Sequence, residues 1–202
     1  MKFIRPGEFF TDRARTCCIT GHRRKDLPCG GDTDSEPMRR LLSMLALLCS
    51  EAYGDGYRTF VSGMAEGIDL MCMKLLFDMK RSGRYEGMRL VCALPYSSQR
   101  RELRLAVDRY YYDIFLEECD CAVVCSTITE RGRYKLRNQF MVENSSRIIG
   151  AMREKTTGSG TLQTVNMAKN AGLRLEIVSL DANRELFMGS AEDIKGFRRV
   201  KL

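Results

Sequence analysis

Residues 60–69 read F-V-S-G-M-A-E-G-I-D, an apolar run that stops at Ser62-Gly63 and is followed by the acids Glu66 and Asp69. A strand, a tight turn and a helix starting at Ala65 would set free backbone N–H groups and the positive end of a helix dipole at the strand's C-terminal end. Phosphates and carboxylates bind at such junctions. In this reading Ser62 and the Gly63 amide touch phosphate, and Glu66 or Asp69 contacts ribose hydroxyls or works as a general base. A carboxylate at a helix N-terminus is often only a partner of the dipole, and Glu66 taken singly is equally well explained that way.

Three further segments carry similar chemistry. Gly158-Ser159-Gly160-Thr161 opens a helix, so its glycines let the backbone approach a phosphate while the hydroxyls add donors. It lacks the third glycine of the dinucleotide fingerprint, Gln163 standing in that place, and no G-x-x-x-x-G-K-[ST] loop occurs. Gly21-His22-Arg23 ends another apolar run, where Arg23 could neutralise a phosphate bidentately and His22 could bond a ligand. Pro95 turns the chain out after a third run. Asn138 is, by periodicity alone, one more polar residue on a helix face. With one histidine in the chain, no Ser/His/Asp or Cys/His catalytic set can be assembled from sequence.

These segments need a frame. Short apolar runs at 16–20, 57–61, 88–94, 121–125, 147–152 and 173–178 predict strands, and helices are expected over 38–53, 65–81, 98–118, 135–146 and 161–172. The alternation argues for an α/β, Rossmann-like doubly wound, mainly parallel sheet with helices on both faces. In that architecture ligands lie at the carboxyl ends of the strands, near the point where strand order reverses. Residues 1–180 are read as one such domain, with its core over about 16–178. Residues 1–15 are expected to be an extended lead-in, and 181–202 a polar C-terminal tail that carries a short helix at most. The adjacent Tyr110, Tyr111 and Tyr112 cannot share one helical face.

Composition narrows the classes. A hydrophobic share of 44% supplies a sizeable core, and 29% charged residues argue against disorder. No run is long enough to span a bilayer, and the first residues lack a signal-peptide core, so a cytoplasmic protein without membrane contact is expected. The 9 cysteines sit mostly in apolar runs and read as buried thiols, with no metal site expected. A net charge of +7 is compatible with nucleic acid, anionic ligands or acidic partners and does not choose among them.

Taken in order, I-T-G-H-R (19–23), V-S-G-M-A-E-G-I-D (61–69), A-L-P (93–95), R-N-Q-F-M-V-E (137–143) and G-S-G-T (158–161) resemble the YpsA-like branch of the SLOG superfamily, which is related to DprA and to the lysine-decarboxylase-like phosphoribohydrolases. The resemblance implies a Rossmann-like fold that binds nucleotides or nucleotide-derived molecules such as NAD or ADP-ribose, often as a sensor, with no required cofactor. It implies a pocket lined by Gly21, Arg23, Ser62, Gly63, Glu66, Asp69, Asn138, Gly160 and Thr161, and it puts Asp69 ahead of Glu66. The phosphoribohydrolase signature P-G-G-x-G-T-x-x-E is missing, because Thr164 falls where its glutamate would stand. Hydrolysis of an N-glycosidic bond, with Glu66 or Asp69 as catalytic acid/base, is therefore the second reading. Single-stranded nucleic-acid binding through basic clusters and tyrosines is the third, and homo-oligomerisation is left open.

Overall fold

The structure is a computed structural model that describes residues 3–155, 157–188 and 196–200. Seven strands form one parallel sheet: β1 (Phe3–Ile4), β2 (Thr16–Gly21), β3 (Thr59–Ser62), β4 (Arg89–Leu94), β5 (Cys121–Val124), β6 (Arg147–Met152) and β7 (Arg174–Ser179), in the order β1-β5-β4-β3-β2-β6-β7. The helices are α1 (Glu36–Gly54), α2 (Ile68–Arg81), α3 (Ala106–Glu118), α4 (Arg133–Glu143), α5 (Gly160–Asn170) and α6 (Arg184–Met188).

From β2 the chain winds outward through β3, β4 and β5, then crosses back to place β6 on the other side of β2. The switch point thus lies between β2 and β6, paired in register from Cys17↔Arg147 to Gly21↔Ala151. Alternate strand residues feed two apolar layers. Cys17, Ile19, Phe60, Leu90 and Cys92 pack under α1, α2 and α3 with Leu41, Leu45, Leu76 and Phe115. Cys18, Val61, Val91 and Ala93 pack under α4 and α5 with Phe140, Met141, Val165 and Ala168. A strand covered on both faces can be apolar throughout, which is why the runs lack a polar alternation. The fold is a Rossmann-like doubly wound α/β fold with helices on both faces.

Several expected boundaries move. The helix expected from Ala65 begins at Ile68, because Met64 has φ 57° and Gly67 has φ 89° and ψ −135°, outside helical geometry. The single helix expected over 98–118 is a 3-10 turn, Gln99–Glu102, followed by α3. The lead-in holds a strand: β1 pairs with β5 through Phe3↔Ala122 and Ile4↔Val123, and two residues are too few to show a period. The expected tail region includes α6, which packs on α1, and Arg199, which forms an antiparallel bridge with Val178 of β7. Of the basic residues Lys195, Arg198, Arg199 and Lys201 near the end of the chain, one of the clusters considered for nucleic-acid binding, Lys195 and Lys201 lie outside the described residues. Of the tyrosine trio, Tyr112 is buried and Tyr110 is exposed.

Candidate functional site

A crevice of about 360 Å³ lies at the carboxyl ends of β2 and β6, lined by Thr20, Gly21, His22, Arg23, Lys25, Asp26, Ala65, Asp69, Tyr134, Arg137, Asn138, Ser159, Gly160, Thr161 and Thr164. Three structural parts make its walls: the loop after β2, the start of α5, and facing residues of α2 and α4.

The start of α5 is fixed by its own side chains. Ser159 is the N-cap, with φ −87° and ψ 147°, and its hydroxyl accepts the Leu162 N–H at 3.0 Å. The Thr161 hydroxyl donates to the Gly21 carbonyl at 2.8 Å, tying α5 to the β2 loop. By position, the Gly160 and Thr161 amides have no partner within the helix. They are the positive end of an eleven-residue dipole at the crevice wall.

His22 holds the two loops of the switch point together. Its N–H donates to the Ala151 carbonyl at 3.1 Å, its carbonyl accepts from the Ile68 N–H at 3.2 Å, and its Nε2 accepts from the Arg153 N–H at 3.1 Å. The side chain is buried, and burial pushes its pKa below the usual imidazole range. The native state therefore binds a proton less readily than the unfolded chain. Its stabilising contribution is full above about pH 6.5 and is lost as the pH falls through the lower native value. Protonation also removes the lone pair that accepts from Arg153. As the chain has 1 histidine, the melting temperature should fall on acidification from about pH 7.5 to 5.5, and His22→Gln should flatten that fall. An unchanged slope in the variant would remove His22 as its source.

Asp69 and Arg137 meet at 3.6 Å, with side chains 8% and 7% exposed. Burial raises the Asp69 carboxyl above the usual carboxylate range, with the Arg137 and Arg23 charges opposing it, and burial lowers Arg137. Arg137 Nη1 also donates to the Gly63 carbonyl, which accepts a second hydrogen bond from Gln99 Nε2 at 3.1 Å. This approach requires a glycine. A Cβ on residue 63 would lie 1.7 Å from Arg137 Nη1 and 2.7 Å from Asp69 Oδ2.

Arg23 and Asn138 have side chains with no hydrogen-bond or ion-pair partner among the described residues. Asn138 is 6% exposed, and that remaining surface opens on the crevice. An amide without a protein partner on a crevice wall is free to hydrogen-bond a ligand there.

The crevice therefore gathers Gly21, His22, Arg23, Asp69, Asn138, Ser159, Gly160 and Thr161 from four sequence segments. It does not gather Ser62, Gly63, Glu66, Pro95 or Gly158. Ser62 is wholly buried; its hydroxyl donates to the Asp69 carbonyl at 2.9 Å and accepts the Met64 N–H at 3.2 Å, so the turn itself consumes it. Glu66 is half-buried in the loop before α2, with the charge of Arg24 nearby. Pro95 is buried beside β4, and Gly158 lines a neighbouring groove with Lys135 and Asn166. Ser62→Ala should cost about 1–3 kcal/mol of stability, read by denaturant unfolding, through the loss of its two buried hydrogen bonds and the Met64 N–H left without its partner. It should leave ligand affinity nearly unchanged; a large affinity loss at constant stability would put Ser62 in contact with ligand.

Arg137 and Tyr134 escape a sequence search that looks only at strand ends. Their signal is helical: residues 134, 137 and 138 have i, i+3, i+4 spacing on α4 and share one face. Thr164 lines the crevice with its hydroxyl donated to the Gly160 carbonyl at 2.8 Å. Among the described residues no three His, Cys, Asp or Glu side chains are grouped to hold a metal ion, and no helix is long and apolar enough to cross a membrane.

Sheet order, switch point and crevice define the class, a Rossmann-like α/β protein whose polar cleft sits where strand order reverses. Residues 17–183 match the YpsA family model, described as the YspA SLOG family, and the chain belongs to that SLOG family. No curated protein matches the chain.

Proposed function

We propose that this protein binds a nucleotide or nucleotide-derived molecule of the NAD or ADP-ribose kind in the switch-point crevice, and that it acts as a sensor or regulatory protein. The observation that carries this reading is the convergence of unused donors on one cleft: the first amides of α5, the Arg23 guanidinium and the buried Asn138 amide. An anion at the α5 N-terminus would neutralise Arg23 and satisfy the amides together. Membership of the SLOG family supports the same ligand class. Calorimetry and thermal shift against NAD, ADP-ribose and nucleoside mono- to triphosphates should give saturable binding to at least one, weakened about tenfold or more by Arg23→Ala, a loss of one charge-assisted contact. Absence of saturable binding to all of them at moderate salt overturns the proposal.

A hydrolytic reading has one observation in its favour. Asp69 is an acid inside the crevice whose carboxyl holds its proton more tightly than usual, as a general acid must. Against it, Thr164 stands where the phosphoribohydrolase glutamate would be, with its hydroxyl already committed. Release of free base or nicotinamide from AMP or NAD, lost in Asp69→Asn, would establish turnover. The tyrosine trio gives nucleic-acid stacking little support, since Tyr112 is in the core and Tyr111 stacks on Phe115 with centroids 5.8 Å apart.

A further inference from the structure

Tyr134 is the one benzene ring among the described residues of the crevice wall, and it stands one helical turn before Asn138 on the same face of α4. Its position is set from three sides. The hydroxyl contacts both carboxylate oxygens of Glu102, the ring lies edge-on to Tyr96 with centroids 6.3 Å apart at 76°, and the Arg133 guanidinium sits over it at 5.2 Å from the centroid. Tyr96 also donates to Glu102, so the carboxylate joins the loop after β4 to the first turn of α4. Arg133 lies over the ring of Tyr134, which is half-buried and forms part of the crevice wall.

A ring already fixed loses little freedom when a flat group stacks on it, and stacking tolerates any base because every base has a π-face. Four residues on, the Asn138 amide offers a paired donor and acceptor, which is what the edge of a nucleobase requires. The opposite wall, at α5, is suited to phosphate. On the strength of the nucleotide reading above, we infer that the crevice is polarised: phosphate lies at α5, and the nucleobase is held on α4, stacked on Tyr134 and hydrogen-bonded by Asn138. The recognised class is then a base-bearing nucleotide, and a sugar phosphate without its base is discriminated against.

The test is calorimetry with AMP, GMP, CMP and UMP against ribose 5-phosphate, on the wild-type chain and on Tyr134→Leu, Tyr134→Phe and Asn138→Ala, each checked for an unchanged fold by thermal melting. At least one mononucleotide should bind about tenfold or more tightly than ribose 5-phosphate, the range of a single stacking contact. Tyr134→Leu and Asn138→Ala should shrink that margin without weakening ribose 5-phosphate, and Tyr134→Phe should retain most of it. Equal affinity for mononucleotides and ribose 5-phosphate, or an equal loss for both in Tyr134→Leu, overturns the base site and leaves phosphate binding intact. Binding of neither ligand class overturns the nucleotide reading and the base site with it.

Discussion

Asp69→Ala should destabilise the protein by about 3–5 kcal/mol, because it leaves the buried Arg137 guanidinium without its counter-charge. For a chain of this size the melting temperature then falls by about 6–20 °C. Arg137 is 7% exposed and wedged against the Gly63 carbonyl, so it cannot swing out to water without dismantling the turn after β3. Buried ion pairs are commonly no more stabilising than well-packed apolar residues of the same volume, and burial raises the Asp69 carboxyl despite the nearby arginine. Replacing both partners together, Asp69→Leu with Arg137→Met, should therefore restore much of the stability lost in the single variant, while ligand affinity stays low. Equilibrium unfolding of the single and double variants separates the two effects. A single variant within about 0.5 kcal/mol of wild type would mean the guanidinium is solvated after all.

Gly150→Ala should be as severe for a different reason. Gly150 faces Thr20 across the β2–β6 pairing, and a Cβ there would lie 1.8 Å from the Thr20 carbonyl oxygen and 2.9 Å from its carbon. Both obstacles are backbone, so relief requires the two strands to part where their ends form the crevice. We expect a loss at or beyond the upper end of the about 1–3 kcal/mol usual for overpacking, with ligand affinity lost in parallel. Gly160→Ala is the contrasting variant: a Cβ there meets nothing within 4 Å, and alanine favours a helix, so its stability should hold or rise slightly. Thermal melts of the two variants side by side make the comparison. A Gly150→Ala protein that melts with the wild type would show that the strands can separate at no cost.

Much of this fold is legible in the chain because it is built from runs that reach their natural length. Cys121–Val124 and Arg147–Met152 are apolar along most of their length, bounded by polar residues, and become interior strands covered on both faces. What was hidden is local backbone geometry. Nothing in V-S-G-M-A-E-G-I-D says that Met64 takes a positive φ, so the helix expected at Ala65 starts three residues late and Glu66 is displaced from the crevice. Ser62 has the right type in the right segment for a phosphate contact, yet its hydroxyl is spent on Asp69 and Met64. Whether a polar group faces ligand or its own turn depends on angles of tens of degrees, which residue type does not specify. Tyr134 and Arg137 were hidden for the opposite reason: their spacing is plain, but only sheet order shows that α4 closes over the β2–β6 switch point.

Among the described residues, both margins of the sheet offer little free strand. At one margin β1 offers two residues. At the other, residues 198–200 run back along the C-terminal half of β7, with Val200 N–H bonded to the Ile177 carbonyl at 2.8 Å and Ser179 N–H to the Arg198 carbonyl at 3.0 Å. A sheet finished this way gives a neighbouring molecule little ladder to extend, which guards a chain rich in β-forming segments against edge-to-edge aggregation. If copies of this protein associate, they are left to do so through helix surfaces, such as the exposed Leu105 and Val107 at the start of α3.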